Sequence, residues 1–184
     1  MLSPIKTVFI HYPFRAFTTV ALMILVSVLV YRNLNTKYKR NEISKQKAVL
    51  VWLLTNYSIL LLFFTVLGRR SLDYYRYNFE FCYSYKEVFL LKDYALASQI
   101  IVNILMFIPV GLICGIIKKQ HTILKSLLYG ILMSVTIEVL QLVLRCGYFE
   151  FDDLLSNIIG TLIGCVMIKI HHCLRKNKRV YFGG

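Results

Sequence analysis

The stretch YALASQIIVNILMFIPVGLICGII, residues Tyr94–Ile117, contains 24 residues and no charged side chain. A helix needs about 20 apolar residues to cross the hydrocarbon core of a bilayer. Four further windows carry at most one charge: residues 48–68, 126–144, 16–31 and 154–168. The last two are short and need their flanking residues. The sequence therefore predicts an all-α fold, a polytopic transmembrane helix bundle with about five spans. The alternative is four spans and one interfacial helix.

Composition and charge support the membrane assignment. Hydrophobic residues make up 58% of the chain and charged residues 17%, and the net charge is +13. The basic residues lie in loops beside apolar helices, which is typical of the positive-inside rule and not of a nucleic-acid-binding surface. Residues 32–47, 118–125 and 169–184 hold 14 of the 22 basic residues and one of the nine acids. We therefore expect a multi-pass cell-membrane protein with its N-terminus outside and its C-terminus in the cytoplasm.

The same pattern suggests three segments. Residues 1–68 form an N-terminal two-helix membrane segment, residues 69–168 form a membrane domain with an aromatic outer loop and three spans, and residues 169–184 form a basic cytoplasmic tail. The first apolar run ends without a small-residue cleavage site and reads as a retained helix. No cysteine or histidine spacing suggests a metal or another cofactor, although a disulfide between Cys82 and Cys146 is one interpretation.

Three spans carry polar side chains at helical spacing. Residues three or four apart share one face of a helix. At about 1.5 Å per residue, Asn103 and Glu138 both lie roughly 9 Å below the outer ends of their spans. We expect a polar pocket in the outer half of the membrane. Its members are Asn103, Glu138, Gln141, Asp152, Asp153 and Asn157. The alternative is that these groups only join helices through hydrogen bonds.

Glycines on the same spans predict close helix packing. Gly111 with Gly115, and Gly160 with Gly164, have the Gly-x-x-x-Gly spacing that allows backbones to approach. A related pattern, Gly130 to Ser134, lies on the fourth span. We expect these positions to hold the polar stripes inward.

The outer segment, residues 69–93, is rich in Tyr and Phe. Such residues concentrate at membrane interfaces, so an interfacial belt is the simpler interpretation. The alternative is a lid over a site, with Arg69, Arg70 and Arg76 available to an anion. Arg69, Arg76 and Arg145 are the candidate anion contacts. Residues 77–81 alternate like a strand, but a lone strand in lipid leaves backbone groups unpaired. We therefore expect this segment to be irregular or to form a short helix.

Three ordered motifs resemble the VanZ-like family across roughly residues 69–167. They are Asn-x-x-x-Phe-x-Pro-x-Gly from Asn103, Ser-x-x-Ile-Glu-x-x-Gln from Ser134, and Phe-Glu-Phe-Asp-Asp-x-x-x-Asn-x-x-Gly from Phe149. A weaker match covers residues 78–85, where Phe81 replaces a common Pro and Cys82 a common Phe. The resemblance implies a bacterial membrane protein, with some members linked to lower susceptibility to teicoplanin, a lipid-tailed glycopeptide. It supplies no reaction and no catalytic residues.

Three functions follow, in order of preference. The first is a non-enzymatic factor in glycopeptide resistance or cell-envelope homeostasis. Its partners would be membrane lipids and a lipid-linked or lipoglycopeptide ligand at the outer leaflet. The second is an intramembrane enzyme acting on a lipid headgroup, with Glu138 and Asp152 or Asp153 as acid and base. The third is a transporter, against which the absence of an inverted repeat argues.

Overall fold

The computed structural model describes residues 13–117 and 123–182, with side chains for residues 17–117 and 123–175. The expected outer N-terminus and most of the basic turn at 118–125 lie outside these residues. The described elements are α1 (Pro13–Lys39), α2 (Lys45–Leu62), a π-helical turn (Phe63–Leu67), β1 (Tyr77–Asn78), α3 (Tyr83–Leu91), α4 (Tyr94–Ile117), α5 (Ile123–Val143), β2 (Phe149–Glu150) and α6 (Phe151–Phe182).

Five helical segments are long and apolar enough to cross a membrane. They are Phe17–Lys39, Lys45–Leu67, Tyr94–Ile117, Ile123–Val143 and Phe151–Arg175. The prediction of an all-α membrane protein with about five spans is confirmed, because strands occupy only four of the described residues. The predicted basic tail continues helix α6 through Phe182.

The chain divides into two compact units. The first unit comprises Met1–Phe79 and Thr136–Phe149, and the second comprises Glu80–Val135 and Glu150–Gly184. Helix α5 contributes its first part to the second unit and its last part to the first unit.

In the first unit, α1 packs against α2 through the single tryptophan of the chain. The indole of Trp52 donates a hydrogen bond to the Ser27 carbonyl at 3.3 Å, and its ring centroid lies 6.3 Å from that of Tyr31. Helix α2 begins after Ser44, whose hydroxyl accepts from the Lys47 amide and so satisfies a free donor of the first turn. Many large side chains of α1 are exposed, which suits a helix surrounded by lipid.

In the second unit, glycines bring α4 and α6 into backbone contact. A Cβ at Gly111 would lie 2.9 Å from the Thr161 carbonyl carbon and 3.0 Å from the Cys165 amide nitrogen. A Cβ at Gly160 would overlap the Ile104 carbonyl oxygen, and one at Gly164 the Ile108 carbonyl oxygen. Only residues without a side chain fit there, so these three positions determine the separation of the two helices.

Residues 69–93 contain more regular structure than their sequence suggested. Residues 83–91 form the short helix α3, as expected. The strand-like alternation at residues 77–81 corresponds in part to a real strand, because β1 pairs with β2. The Phe149 amide donates to the Arg76 carbonyl at 3.1 Å. That partner lies about 70 residues away and satisfies the backbone groups that a lone strand would leave unpaired. Cys82 and Cys146 are both free thiols.

Candidate functional site

Polar side chains meet at neighbouring ends of α4 and α6 in the second unit. The Asn103 amide donates to Asp153 Oδ1 at 2.6 Å. The Gln99 amide donates to Asp153 Oδ1 and to Glu150 Oε2, both at 3.3 Å. We call Gln99, Asn103, Glu150 and Asp153 the polar cluster.

Local sequence explains how the polar cluster forms. Gln99 and Asn103 are four residues apart on α4 and therefore share one face. Asp153 lies in the first turn of α6, where an acid complements the positive end of the helix dipole, and Glu150 lies immediately before that helix. Close packing at Gly160 then brings the two helices near enough for direct hydrogen bonds.

The polar cluster holds a carboxyl group that titrates near neutral pH. Burial first, and then repulsion from Asp153 and Asp152, raise the pKa of Glu150 to about 7, although the hydrogen bond from Gln99 opposes the rise. Glu150 and Asp153 therefore form an acidic pair in which one member can hold or release a proton under physiological conditions.

Asp152 has a different role from its neighbour Asp153. Its side chain is buried, and its two oxygens accept from the amides of Cys82 at 2.7 Å and Ser84 at 2.6 Å. These amides lie at the start of α3, so Asp152 caps that helix from a distant part of the chain. Cys82, which precedes the first residue of α3, has a positive φ of 60°.

A hydroxyl pair strengthens this attachment of α3. The Ser156 hydroxyl donates to the Asp152 carbonyl at 2.7 Å, which leaves its oxygen to accept from the Tyr85 hydroxyl at 2.8 Å. Burial raises the pKa of Tyr85, so this phenol stays protonated as the arrangement requires. Asp152, Ser156 and Tyr85 together fix α3 against α6.

Asn157 lies deeper on α6, one turn beyond Asp153. Its amide donates to the Ser134 hydroxyl at 2.8 Å, and both residues are buried. Its side-chain oxygen is enclosed and has no hydrogen-bond partner in the described part of the chain. Asn157 therefore joins α6 to the first part of α5.

Glu138 and Gln141 belong to the first unit. Glu138 is 2% exposed. Gln141 donates to the Thr65 carbonyl at 3.1 Å, while its side-chain oxygen is enclosed and unpaired among the described residues. The structure thus brings Asn103 and Asp153 together, whereas the six-residue pocket as a whole stays a prediction.

The three arginines predicted as anion contacts also belong to the first unit. The Arg145 guanidinium donates to the Asp73 carbonyl at 3.4 Å and to the Tyr75 hydroxyl at 3.0 Å. Arg76 donates to the Tyr74 hydroxyl, and Arg69 is exposed beside the turn at Gly147. All three arginines therefore lie around the segment that follows α2.

The sequence analysis missed Gln99 and Glu150 as members of the site. A signal was present, because Gln99 lies four residues before Asn103 and Glu150 three residues before Asp153. Each residue extends a polar stripe by about one turn. Neither was predicted, because Gln99 lies near the start of its span and Glu150 lies before the apolar window of the last span.

Comparisons with known proteins identify the family. The family model described as VanZ/LLP1 matches residues 16–172, which include most of α1, all of α2 and the region that carries the three motifs. Protein VanZ of Enterococcus faecium is 27% identical over 66 residues, a match that covers 36% of this chain and 41% of that protein. The chain thus aligns with less than half the length of this relative. No solved structure matches the chain. Because the family model covers most of the sequence, the chain belongs to the VanZ/LLP1 family.

Proposed function

We propose that this protein is an envelope factor that lowers susceptibility to teicoplanin through the polar cluster, which faces the outer surface of the cell membrane. Family membership supports the connection with resistance. The charge distribution supports an N-terminus outside and a C-terminus in the cytoplasm, which directs the start of α4 and of α6 outward.

The observation that carries the proposal is the partly exposed set of hydrogen bonds among Asn103, Asp153 and Gln99. Polar groups that only join helices are enclosed, as the buried pair Asn157 and Ser134 shows. By contrast, Gln99 is exposed, and Asn103, Glu150 and Asp153 are half-buried. A ligand can therefore reach amide donors and carboxylate acceptors without unfolding a helix.

The chemistry of the polar cluster suits a hydroxyl-, amide- or ammonium-bearing ligand. Two carboxylates accept hydrogen bonds from donors, and two amides can both donate and accept. A glycopeptide and a lipid-linked cell-wall precursor both present such groups. The half-buried setting strengthens these hydrogen bonds relative to bulk water.

The experiment compares a susceptible host that carries the wild-type protein with the same host carrying an empty vector. We expect the protein to raise the inhibitory concentration of teicoplanin and to change that of vancomycin, which lacks a lipid tail, much less. Equal inhibition of both hosts by teicoplanin, with the protein present in the membrane, would contradict the proposal.

A second candidate is an intramembrane enzyme that acts on a lipid headgroup. The specific observation in its favour is the acidic pair, because Glu150 with a pKa of about 7 and Asp153 can divide acid and base roles. Asp152 serves such a role poorly, since both its oxygens already accept backbone amides.

Lipid extracts distinguish the two candidates. An enzyme predicts a lipid species that is gained or lost when the wild-type protein is expressed, and that returns to the vector level with Glu150→Gln. Mass spectrometry of total lipids measures this. Identical lipid profiles for vector, wild type and variant would reject the enzyme and leave the binding function.

A further inference from the structure

Residues 69–79, which follow the π-helical turn after α2, are fixed against residues 144–149, which follow α5. Both stretches belong to the first unit. The Leu72 amide donates to the Arg145 carbonyl at 2.7 Å, and the Ser71 hydroxyl donates to the Leu144 carbonyl at 3.0 Å. Together with the bond between Phe149 and Arg76, these contacts join two distant stretches into one surface. We call it the arginine platform. It consists of Arg69, Arg70, Arg76, Arg145, Tyr74, Tyr75 and Tyr148.

The charge of the arginine platform is unusual for its position. Residues 69–79 and 144–149 contain four arginines and one acid, Asp73. The platform follows the end of α2, whereas the basic loop at residues 32–47 precedes and enters the start of that helix. The positive-inside rule accounts for basic residues at one end of a span and not for a second group at the other end. The platform therefore requires another explanation for its charge.

Arg76 is held by aromatic rings. Its guanidinium carbon lies 4.8 Å from the Tyr74 ring centroid and 5.0 Å from the Tyr148 ring centroid. Stacking positions a guanidinium while leaving most of its five N–H donors available. Nε of Arg76 is enclosed and has no acceptor in the described part of the chain, although the residue as a whole remains partly exposed. Arg76 is therefore held in place by its tyrosine neighbours while part of the residue stays exposed.

Arg145 and Arg69 add to the same positive surface. Arg145 has a positive φ of 52°, and its guanidinium carbon lies 4.3 Å from the Tyr75 ring centroid. A Cβ at Gly147 would lie 3.2 Å from Nη1 of Arg69, so the missing side chain leaves room for that guanidinium over the turn. Arg70 is exposed beside it. The fold thus gathers arginines from two distant stretches of the chain on one surface.

We propose that the arginine platform binds the phosphate of a membrane lipid headgroup. Guanidinium groups bind phosphate oxygens in paired, charge-assisted hydrogen bonds. A lipid is favoured as the source because Tyr74, Tyr75, Tyr77 and Phe79 are all more than half exposed, as side chains at a membrane interface are. This site lies wholly in the first unit and is independent of the polar cluster, so either proposal can fail alone.

The test is photocrosslinking of full-length protein in nanodiscs that contain phosphatidic acid with a diazirine close to its headgroup. Mass spectrometry then measures the label on residues 69–79. We expect Arg76→Gln to weaken lipid binding about tenfold, in line with the loss of a charge-assisted hydrogen bond, and to reduce this label accordingly. Arg32→Gln removes the same charge from the other end of the first unit and should leave the label unchanged.

Two further arms keep the result interpretable. Arg70→Gln alters an exposed side chain and should also reduce the label, so a folding defect of Arg76→Gln cannot by itself decide the outcome. Inorganic pyrophosphate is titrated as a competitor, from concentrations below that of the lipid to concentrations above it. Equal labelling of the wild type and both platform variants would overturn the proposal. Complete loss of label with pyrophosphate at concentrations below that of the lipid would show that the site prefers a soluble phosphate, and would also overturn it.

Discussion

Replacing Gly111 by alanine tests how closely α4 and α6 must approach. The added Cβ would lie 2.9 Å from the Thr161 carbonyl carbon and 3.0 Å from the Cys165 amide nitrogen, both backbone atoms of α6. Ordinary contacts begin at 3.4 Å, and the Cβ would also overlap the Thr161 carbonyl oxygen, so the helices must separate by roughly 1 Å. Overpacking of this kind lowers the free energy of unfolding by about 2 kcal/mol.

Gly115 supplies a matched control on the same helix. The three atoms nearest to a Cβ there all belong to the Ile168 side chain, at 3.3 to 3.5 Å, so a shift of only a few tenths of an ångström is needed. We expect Gly115→Ala to change the free energy of unfolding by less than about 0.5 kcal/mol. The glycine-to-alanine change is identical in both variants, so its intrinsic effect on the helix cancels.

The assay follows the thiol of Cys165, which is buried and lies 3.6 Å from the Gly111 carbonyl oxygen. Protein in mixed micelles is titrated with denaturing detergent, pulsed with an alkylating reagent and analysed by mass spectrometry for label at this site. Gly111→Ala should expose Cys165 at a clearly lower denaturant fraction than the wild type does. Coincident midpoints for Gly111→Ala and Gly115→Ala would refute the close approach.

Three further predictions follow from the same structure. Asp152→Ala removes two charge-assisted hydrogen bonds at the start of α3, and hydrogen exchange should show loss of protection of the Ser84 amide while α4 stays protected. Because the fold raises the pKa of Glu150 to about 7, its contribution to stability is present at low pH and is lost as pH rises from about 4.5 to about 7. Glu150→Gln should flatten the plot of unfolding free energy against pH over this range. A slope equal to that of the wild type would contradict the raised pKa of Glu150. In intact cells, a membrane-impermeant thiol reagent should label Cys82 and miss Cys173, and the reverse pattern would invert the proposed topology.

The spans could be predicted from the sequence because their physical requirement is local. A bilayer excludes charge over about 20 residues, and this constraint leaves its trace in the order of residues alone. Helical spacing likewise placed Asn103 and Asp153 on faces that meet, and the two side chains form a hydrogen bond at 2.6 Å. Periodicity and length were sufficient for these features.

The roles of Asp152 and Asp153 show where the sequence is insufficient. Adjacent residues on a helix point about 100° apart, so the two acids face different partners. Asp153 meets Asn103, whereas Asp152 meets amides of Cys82 and Ser84 that lie about 70 residues away. Nothing in the local pattern distinguishes these two carboxylates. Only the tertiary position of α3 separates the capping acid from the acid in the polar cluster.

The pairing of β1 and β2 has the same origin. Alternation at residues 77–81 is typical of a strand, but a lone strand leaves its backbone groups unpaired, and the sequence does not reveal the partner strand. That partner is the strand that contains Phe149, whose amide donates a hydrogen bond to the Arg76 carbonyl. A long-range hydrogen bond therefore decided a local structure.

The most direct test of the central claim is the teicoplanin susceptibility of cells that carry Asp153→Asn. This change preserves the shape of the side chain but removes the carboxylate that Asn103 and Gln99 contact. The control is Glu87→Gln on α3, a carboxylate-to-amide change outside the polar cluster. At equal amounts of membrane-inserted protein, we expect Asp153→Asn to return the inhibitory concentration to the vector level and Glu87→Gln to retain the wild-type value. Wild-type protection from well-folded Asp153→Asn would contradict a functional role for the polar cluster.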